Sequence, residues 1–202
     1  RRVLFRSDIM SKSSVTKALK FILNSDLLDL TIDTSAAHYG LRFYTEFNRI
    51  DAVDEMPKLV VNNNLVSCTA NIITPVDYPS RFDNLMREIF IPVTDIIGIA
   101  LVVKEEKLDE FMDQLSKIYD WSRLPSESDA NCNSEIAEFL TQNNDIENFD
   151  IALDAIDRSN NPARGKVICI DNDLIWIKGT DTDVPPTFYI VQINKIPFIC
   201  KS

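Results

Sequence analysis

Glycine is scarce in this chain, with four residues in 202. Neither the G-x-G-x-x-G turn of dinucleotide sites nor the G-x-x-x-x-G-K-[ST] phosphate loop occurs. Histidine is scarcer still: His38, in SAAHYGL, is the only one. It is the single candidate catalytic base, toward Cys68 or a nearby serine, and no G-x-S-x-G elbow accompanies it. A place in a loop or at a strand edge is its ordinary explanation. The four cysteines, Cys68, Cys132, Cys169 and Cys200, form no C-x-x-C pair. Structural zinc needs four close ligands, so these thiols read as small apolar side chains of a reducing cytoplasm. A disulfide between Cys169 and Cys200 is the alternative. Positive charge is in deficit as well, with 21 Lys and Arg against 31 Asp and Glu and a formal net charge of −10. Such a surface repels phosphate backbones, so direct DNA or RNA binding is not expected. Long apolar runs are also missing. The longest, IIGIALVV over Ile96–Val103, is far short of the roughly 20 residues that a membrane-spanning helix requires.

The first residues, RRVLFRS, are basic and partly apolar, but they are too short and interrupted for a secretory signal. They coincide with an in-frame translation of a sequencing-library adapter end, AGA CGT GTG CTC TTC CGA TCT. Residues 1–9 are therefore expected to be a non-native scar, with translation starting at Met10. Without Arg1, Arg2, Arg6 and Asp8, the basic count falls from 21 to 18, the acidic count from 31 to 30, and the net charge becomes −12.

What is present is a chain with 45% hydrophobic content, enough for one substantial core or two small ones. Val15, Ala18, Leu19, Ile22 and Leu23 recur at helical spacing after Ser13 or Ser14, predicting a first helix to about Asn24. LLDLTID and LRFYTEFNRI read as strands, the second alternating Leu41, Phe43, Thr45 and Phe47 with polar or amphipathic neighbours. KLVVNNNLVSCTANII predicts a hairpin turning at Asn62–Asn64, because asparagine tolerates the left-handed backbone of tight turns. A short helix is expected around Ser80–Arg87. TDIIGIALVV then predicts a strand buried on both faces, running into a helix whose stripe is Leu108, Phe111, Met112, Leu115, Ile118 and Tyr119. RLPSESDANCN, residues 123–133, is the expected linker or exposed loop. Two helices should follow, the second carrying Ile146, Phe149, Leu153 and Ile156. KVICI, LIWIKG, TFYIVQI and IPFICK then predict a four-stranded antiparallel meander. No internal repeat is legible. The expected fold class is α+β: a mixed N-terminal sheet with packed helices over 10–122, the linker, then a helical pair and β meander over 134–202.

Acidic turns suggest oxygen-ligand chemistry. Asp171 and Asp173, and Asp181 and Asp183, form two D-x-D patterns of a kind calcium or magnesium could use. Aspartate is also a common turn former, and the five residues of LIWIK place the two turns about 16 Å apart at opposite strand ends. Asp171 and Asp173 are thus the candidate metal ligands. Trp121 and Trp176 are candidate interface anchors, since a half-exposed tryptophan supplies large contact area. Within its strand Trp176 has core packing as the competing explanation. No cofactor is expected. These features favour a soluble, acidic, cytoplasmic, non-catalytic binding or assembly protein that associates with itself or another protein, with no membrane or nucleic-acid partner. A viral or phage accessory or structural protein of environmental origin is the form envisaged. The alternatives are an enzyme with a dispersed acid and histidine site or a metal-assisted hydrolase, and an acidic mimic of nucleic acid.

Overall fold

A computed structural model describes residues 14–30, 32–33, 38–46, 48–53, 55–73, 86–119, 135–143, 149–151, 163–171, 173–180, 185–196 and 199–201. Its dominant feature is one antiparallel sheet, so the expected α+β arrangement with separate N- and C-terminal sheets is overturned. A two-stranded ribbon, β1 (Ile32–Asp33) and β2 (His38–Tyr39), stands apart. The main sheet begins with β3 (Leu41–Tyr44), β4 (Arg49–Ala52), β5 (Lys58–Val60) and β6 (Leu65–Ile73). It continues through β7 (Arg87–Pro92) and β8 (Gly98–Val102). The later strands are β9 (Phe149–Ile151), β10 (Ala163–Asp171), β11 (Leu174–Gly179), β12 (Thr187–Gln192) and β13 (Ile199–Lys201). Among the described residues the α-helices are three: α1 over residues 14–22, α2 (Leu108–Ile118) and α3 (Glu135–Gln142).

Several sequence expectations meet their elements. The asparagine turn lies between β5 and β6, with positive φ at Val61, Asn62 and Asn63. Strand β8 is buried on both faces throughout. Others are corrected. LRFYTEFNRI is not one strand but the hairpin of β3 and β4, whose turn is closed by the Thr45 N–H donating to the Asn48 carbonyl at 2.9 Å. Phe149, assigned to a helix, opens β9, and Arg87, assigned to the end of a short helix, opens β7. The C-terminal strands form a meander only through β12. That strand pairs onward with β8, while β13 returns to β9. Residues 123–133 lie outside the described residues.

The strand order runs β13, β9, β10, β11, β12, β8, β3, β4, β6, with β5 and β7 also on β6. Ala70 pairs with both Ala52 of β4 and Arg87 of β7, and residues 65–67 pair with both β5 and β7. Strands β4 and β5 therefore lie end to end along one edge of β6, and β7 takes the other edge. The sheet then divides into two units of the same order: β8, β3, β4/β5, β6, β7 and β13, β9, β10, β11, β12.

The register repeats with the order. Leu65 opposes Pro92 as Leu174 opposes Gln192, and Thr69 opposes Glu88 as Lys178 opposes Phe188. Ala52 opposes Ala70 as Gly165 opposes Gly179. All four are small, and a Cβ on Gly165 would collide with the Lys178 carbonyl. Each unit also carries a 3-10 turn, at Val93–Asp95 and at Ile193–Lys195. Val93 N–H donates to the Asn64 carbonyl at 3.0 Å, and Ile193 N–H donates to the Asp173 carbonyl at 2.7 Å. The chain thus builds one five-position antiparallel unit twice.

An odd number of antiparallel positions reverses strand direction from one unit to the next, and the buried face reverses with it. Val66, Cys68, Ile91, Val93 and Ile96 pack on the face covered by α1, whereas their counterparts Ile175, Ile177, Val191, Ile193 and Ile196 pack on the opposite face with Ala137 and Leu140 of α3. Helix α2, which follows β8, crosses onto the other face of the C-terminal unit. There Phe111 meets Phe188 at a centroid distance of 4.8 Å, and Tyr119 meets Trp176 at 5.2 Å. This explains why strands such as LIWIK are apolar on both sides: each side is covered from within the chain.

Candidate functional site

The residues singled out from the sequence are dispersed by the fold. His38 lies on β2, opposite Asp33 in the ribbon, and not in the main sheet. Asp171 ends β10 and pairs through Oδ2 with Lys17 Nζ at 3.0 Å, tying that turn to α1. Asp173, just across the turn, supplies the backbone carbonyl that holds Ile193, while both its carboxylate oxygens are buried with no hydrogen-bond partner among the described residues. Among the described residues no three His, Cys, Asp or Glu side chains gather as a metal site would require. Trp176 is fully buried, enclosed by Phe21 and Tyr119, so the structure makes it a core residue. Trp121, Asp181 and Asp183 lie outside the described residues. Cys68 and Cys169 are buried. Burial pushes the Cys68 thiol up to about 12, far from the range of a reactive thiolate.

A charged cluster that sequence reasoning missed sits on β3 and β4 of the N-terminal unit. Arg42 and Asp51 are directly opposed in the register, and their side chains are 7% and 1% exposed. Arg42 Nε donates to Asp51 Oδ1 at 2.6 Å and Nη2 to Oδ2 at 3.5 Å. Arg49 approaches Asp51 Oδ2 at 3.7 Å, and Arg42 Nη1 reaches the Tyr44 hydroxyl at 3.4 Å. Burial works against the guanidinium charge, but Tyr44 and Asp51 outweigh it and hold Arg42 above its ordinary value. Tyr44 is raised by its own burial, with Arg42 opposing. Arg42 and Asp51 thus satisfy one another directly across the strand pair, an arrangement suited to fixing strand register. The alternation of Leu41, Arg42, Phe43 and Tyr44 could place Arg42 on a different face from Leu41, but not reveal that this face is buried.

An accessible apolar feature among the described residues is the outer edge of β7. Met86 is 64% exposed and Phe90 is 56% exposed, at a strand that, among the described residues, pairs only with β6. Val93 N–H points inward to Asn64, so along β7 the backbone groups of Ile91 and Ile89 also face β6, while those of Glu88 and Phe90 face outward. At the next outward position stands Pro92, a residue without an N–H that a sheet tolerates only where no ladder bond is lost. The counterpart strand β12 shows what such an edge can hold. There Gln192, equivalent to Pro92, donates its N–H to the Ile97 carbonyl at 3.0 Å, and its side chain reaches the Ile96 carbonyl.

No helix among the described residues is long and apolar enough to cross a membrane. No known protein family matches the chain, and neither a curated protein nor a solved structure shows significant similarity to it.

Proposed function

We propose that this is a non-catalytic binding or assembly protein of a cytoplasm, acting through the outer β7 edge of its sheet. The observation that carries this reading is an edge strand with outward backbone groups at Glu88 and Phe90 and large exposed side chains at Met86 and Phe90. Sheet edges of this kind accept an additional strand, with backbone hydrogen bonds supplying affinity and the alternate side chains supplying selectivity. The net charge of −10 supports a protein partner over nucleic acid, because phosphate backbones would be repelled.

Phe90→Pro tests the reading directly. It removes an outward N–H while leaving the inward bonds to β6 in place. Proteins retained by the wild-type chain should be lost with Phe90→Pro and kept with Phe139→Lys, a change at a different exposed apolar residue. In the retained complex, amide exchange at Glu88 and Phe90 should slow. Equal retention by both variants, with unchanged exchange at those amides, would refute the edge as the binding surface.

A further inference from the structure

We infer that the strand added to β7 is β13 of a second copy, so that the chain associates head to tail through the same joint it already contains. This rests on the edge-binding reading above and names the partner. The internal joint is the pairing of β12 with β8, in the register Phe188 to Leu101 and Ile190 to Ile99. Strand β7 is the counterpart of β12, and β13 is the counterpart of β8. The two strands that the repeat equips for this joint are therefore left at opposite ends of the sheet. Among the described residues, each has one side paired, β7 to β6 and β13 to β9.

Carrying the internal register over to the two edges sets Glu88 opposite Lys201 and Phe90 opposite Ile199 of the next copy. The first is a cross-strand pair of opposite charge, and the second is an apolar pair centred on the exposed Phe90. The hydrogen-bonding parity agrees as well. Val102 N–H donates to the Gly40 carbonyl on the β3 side, so Leu101 and Ile99 address β12, and the counterparts Lys201 and Ile199 address the free side of β13. Pro92 removes one donor that the internal joint has at Gln192. The intermolecular joint is thus the weaker of the two, and association is reversible and dependent on concentration.

A head-to-tail contact does not close on itself by two-fold symmetry, so each copy added leaves one β7 and one β13 free. This makes a capping experiment decisive. Sedimentation velocity of the full chain over a wide concentration range should show a rising series of species. Phe90→Pro blocks β7 alone, and Lys201→Pro blocks β13 alone. Each variant should be monomeric by itself, yet an equal mixture should form a one-to-one dimer and nothing larger, since each supplies the edge the other lacks. Circular dichroism and melting of each variant establish that it is folded before mixing, with Phe90→Lys and Lys201→Glu as replacements should either proline variant unfold. Dimerisation of Lys201→Pro alone would instead indicate β7 pairing with β7, and would overturn the proposal while leaving the edge as a binding surface. A wild-type chain that stays monomeric throughout would overturn self-association. If edge-dependent capture of a different protein persisted, the functional reading would stand without it; if that failed too, both would fall.

Discussion

The Asp51 carboxylate faces two guanidinium groups, the buried Arg42 in direct contact and the partly buried Arg49 nearby. Replacing it by alanine leaves the Arg42 charge buried without its main partner. A loss of about 3–5 kcal/mol in chemical denaturation is expected. Exchanging the two, Arg42→Asp with Asp51→Arg, should recover part of that loss, because the C-terminal unit sets Asp150 opposite Arg164 at the matching positions. A second residue-scale expectation concerns alkaline pH. The folded pKa of Cys68 lies near 12 against an ordinary 9.0, and burial also raises Tyr119 and Tyr44 from 10.0. A folded pKa above the unfolded one means that these groups contribute their stability fully below pH 9, and lose it as pH rises through the window from 9 to 12. The melting temperature should be insensitive to these groups between pH 7 and 9 and fall steadily above that, and the Cys68 thiol of the folded chain should react slowly with a disulfide reagent at pH 8. A sharp loss of stability on approaching pH 8 would contradict this. Residue types legible in the sequence were those whose role is local: Asn62 and Asn63 announce a left-handed turn by their own chemistry. Arg42 is not legible in this way, because its burial depends on what covers the sheet.

At the scale of the element, β7 offers a comparison between neighbouring residues. Ile89 directs its backbone to β6, opposite Cys68, while Phe90 directs its backbone outward. Proline at 89 should cost about 3 kcal/mol or more by removing a ladder bond and the packing of Ile89 on the core, whereas proline at 90 should cost about 1 kcal/mol. Urea midpoints of the two variants check the parity, and equal losses would show that β7 is oriented otherwise. Helices α1 and α2 were legible from spacing, since one face of each meets the core. The exception in α2 is Ile118, at the border of the stripe and 40% exposed. Strand β9 was not legible, because three residues carry too little alternation to compete with the helical spacing of Ile146, Phe149, Leu153 and Ile156.

Across the whole molecule, the β8–β12 joint and the core on the α1 face make unfolding a shared event. That core draws Leu41, Phe43 and Leu101 from one unit and Trp176, Phe188 and Ile190 from the other. Denaturation followed by tryptophan fluorescence and by far-ultraviolet circular dichroism should give a single coincident transition. Two separated midpoints would mean that the units melt independently. The doubled architecture was hidden from sequence inspection because the units share burial and register more than residue identity. Val93 and Ile193, or Cys68 and Ile177, are alike in packing only. Connections differ in length too: β3 reaches β4 across residues 45–48, while β9 reaches β10 across 152–162. Antiparallel pairing at each junction then merges what reads as two regions into one sheet.

The alternation of faces between the two units carries a historical consequence. Two five-position units that share strand order, register and the bond into the 3-10 turn are what tandem copying of a half-length gene would leave behind. In such an ancestor, the joint now formed by β12 and β8 would have lain between separate molecules. In such a history, fusion would make that contact unimolecular and leave one ancestral edge at each end of the sheet. The two copies of one strand would then diverge: Gln192 has a donor for the covalently tethered neighbour, while Pro92 at the outer copy lacks one and leaves the pairing with β6 in place.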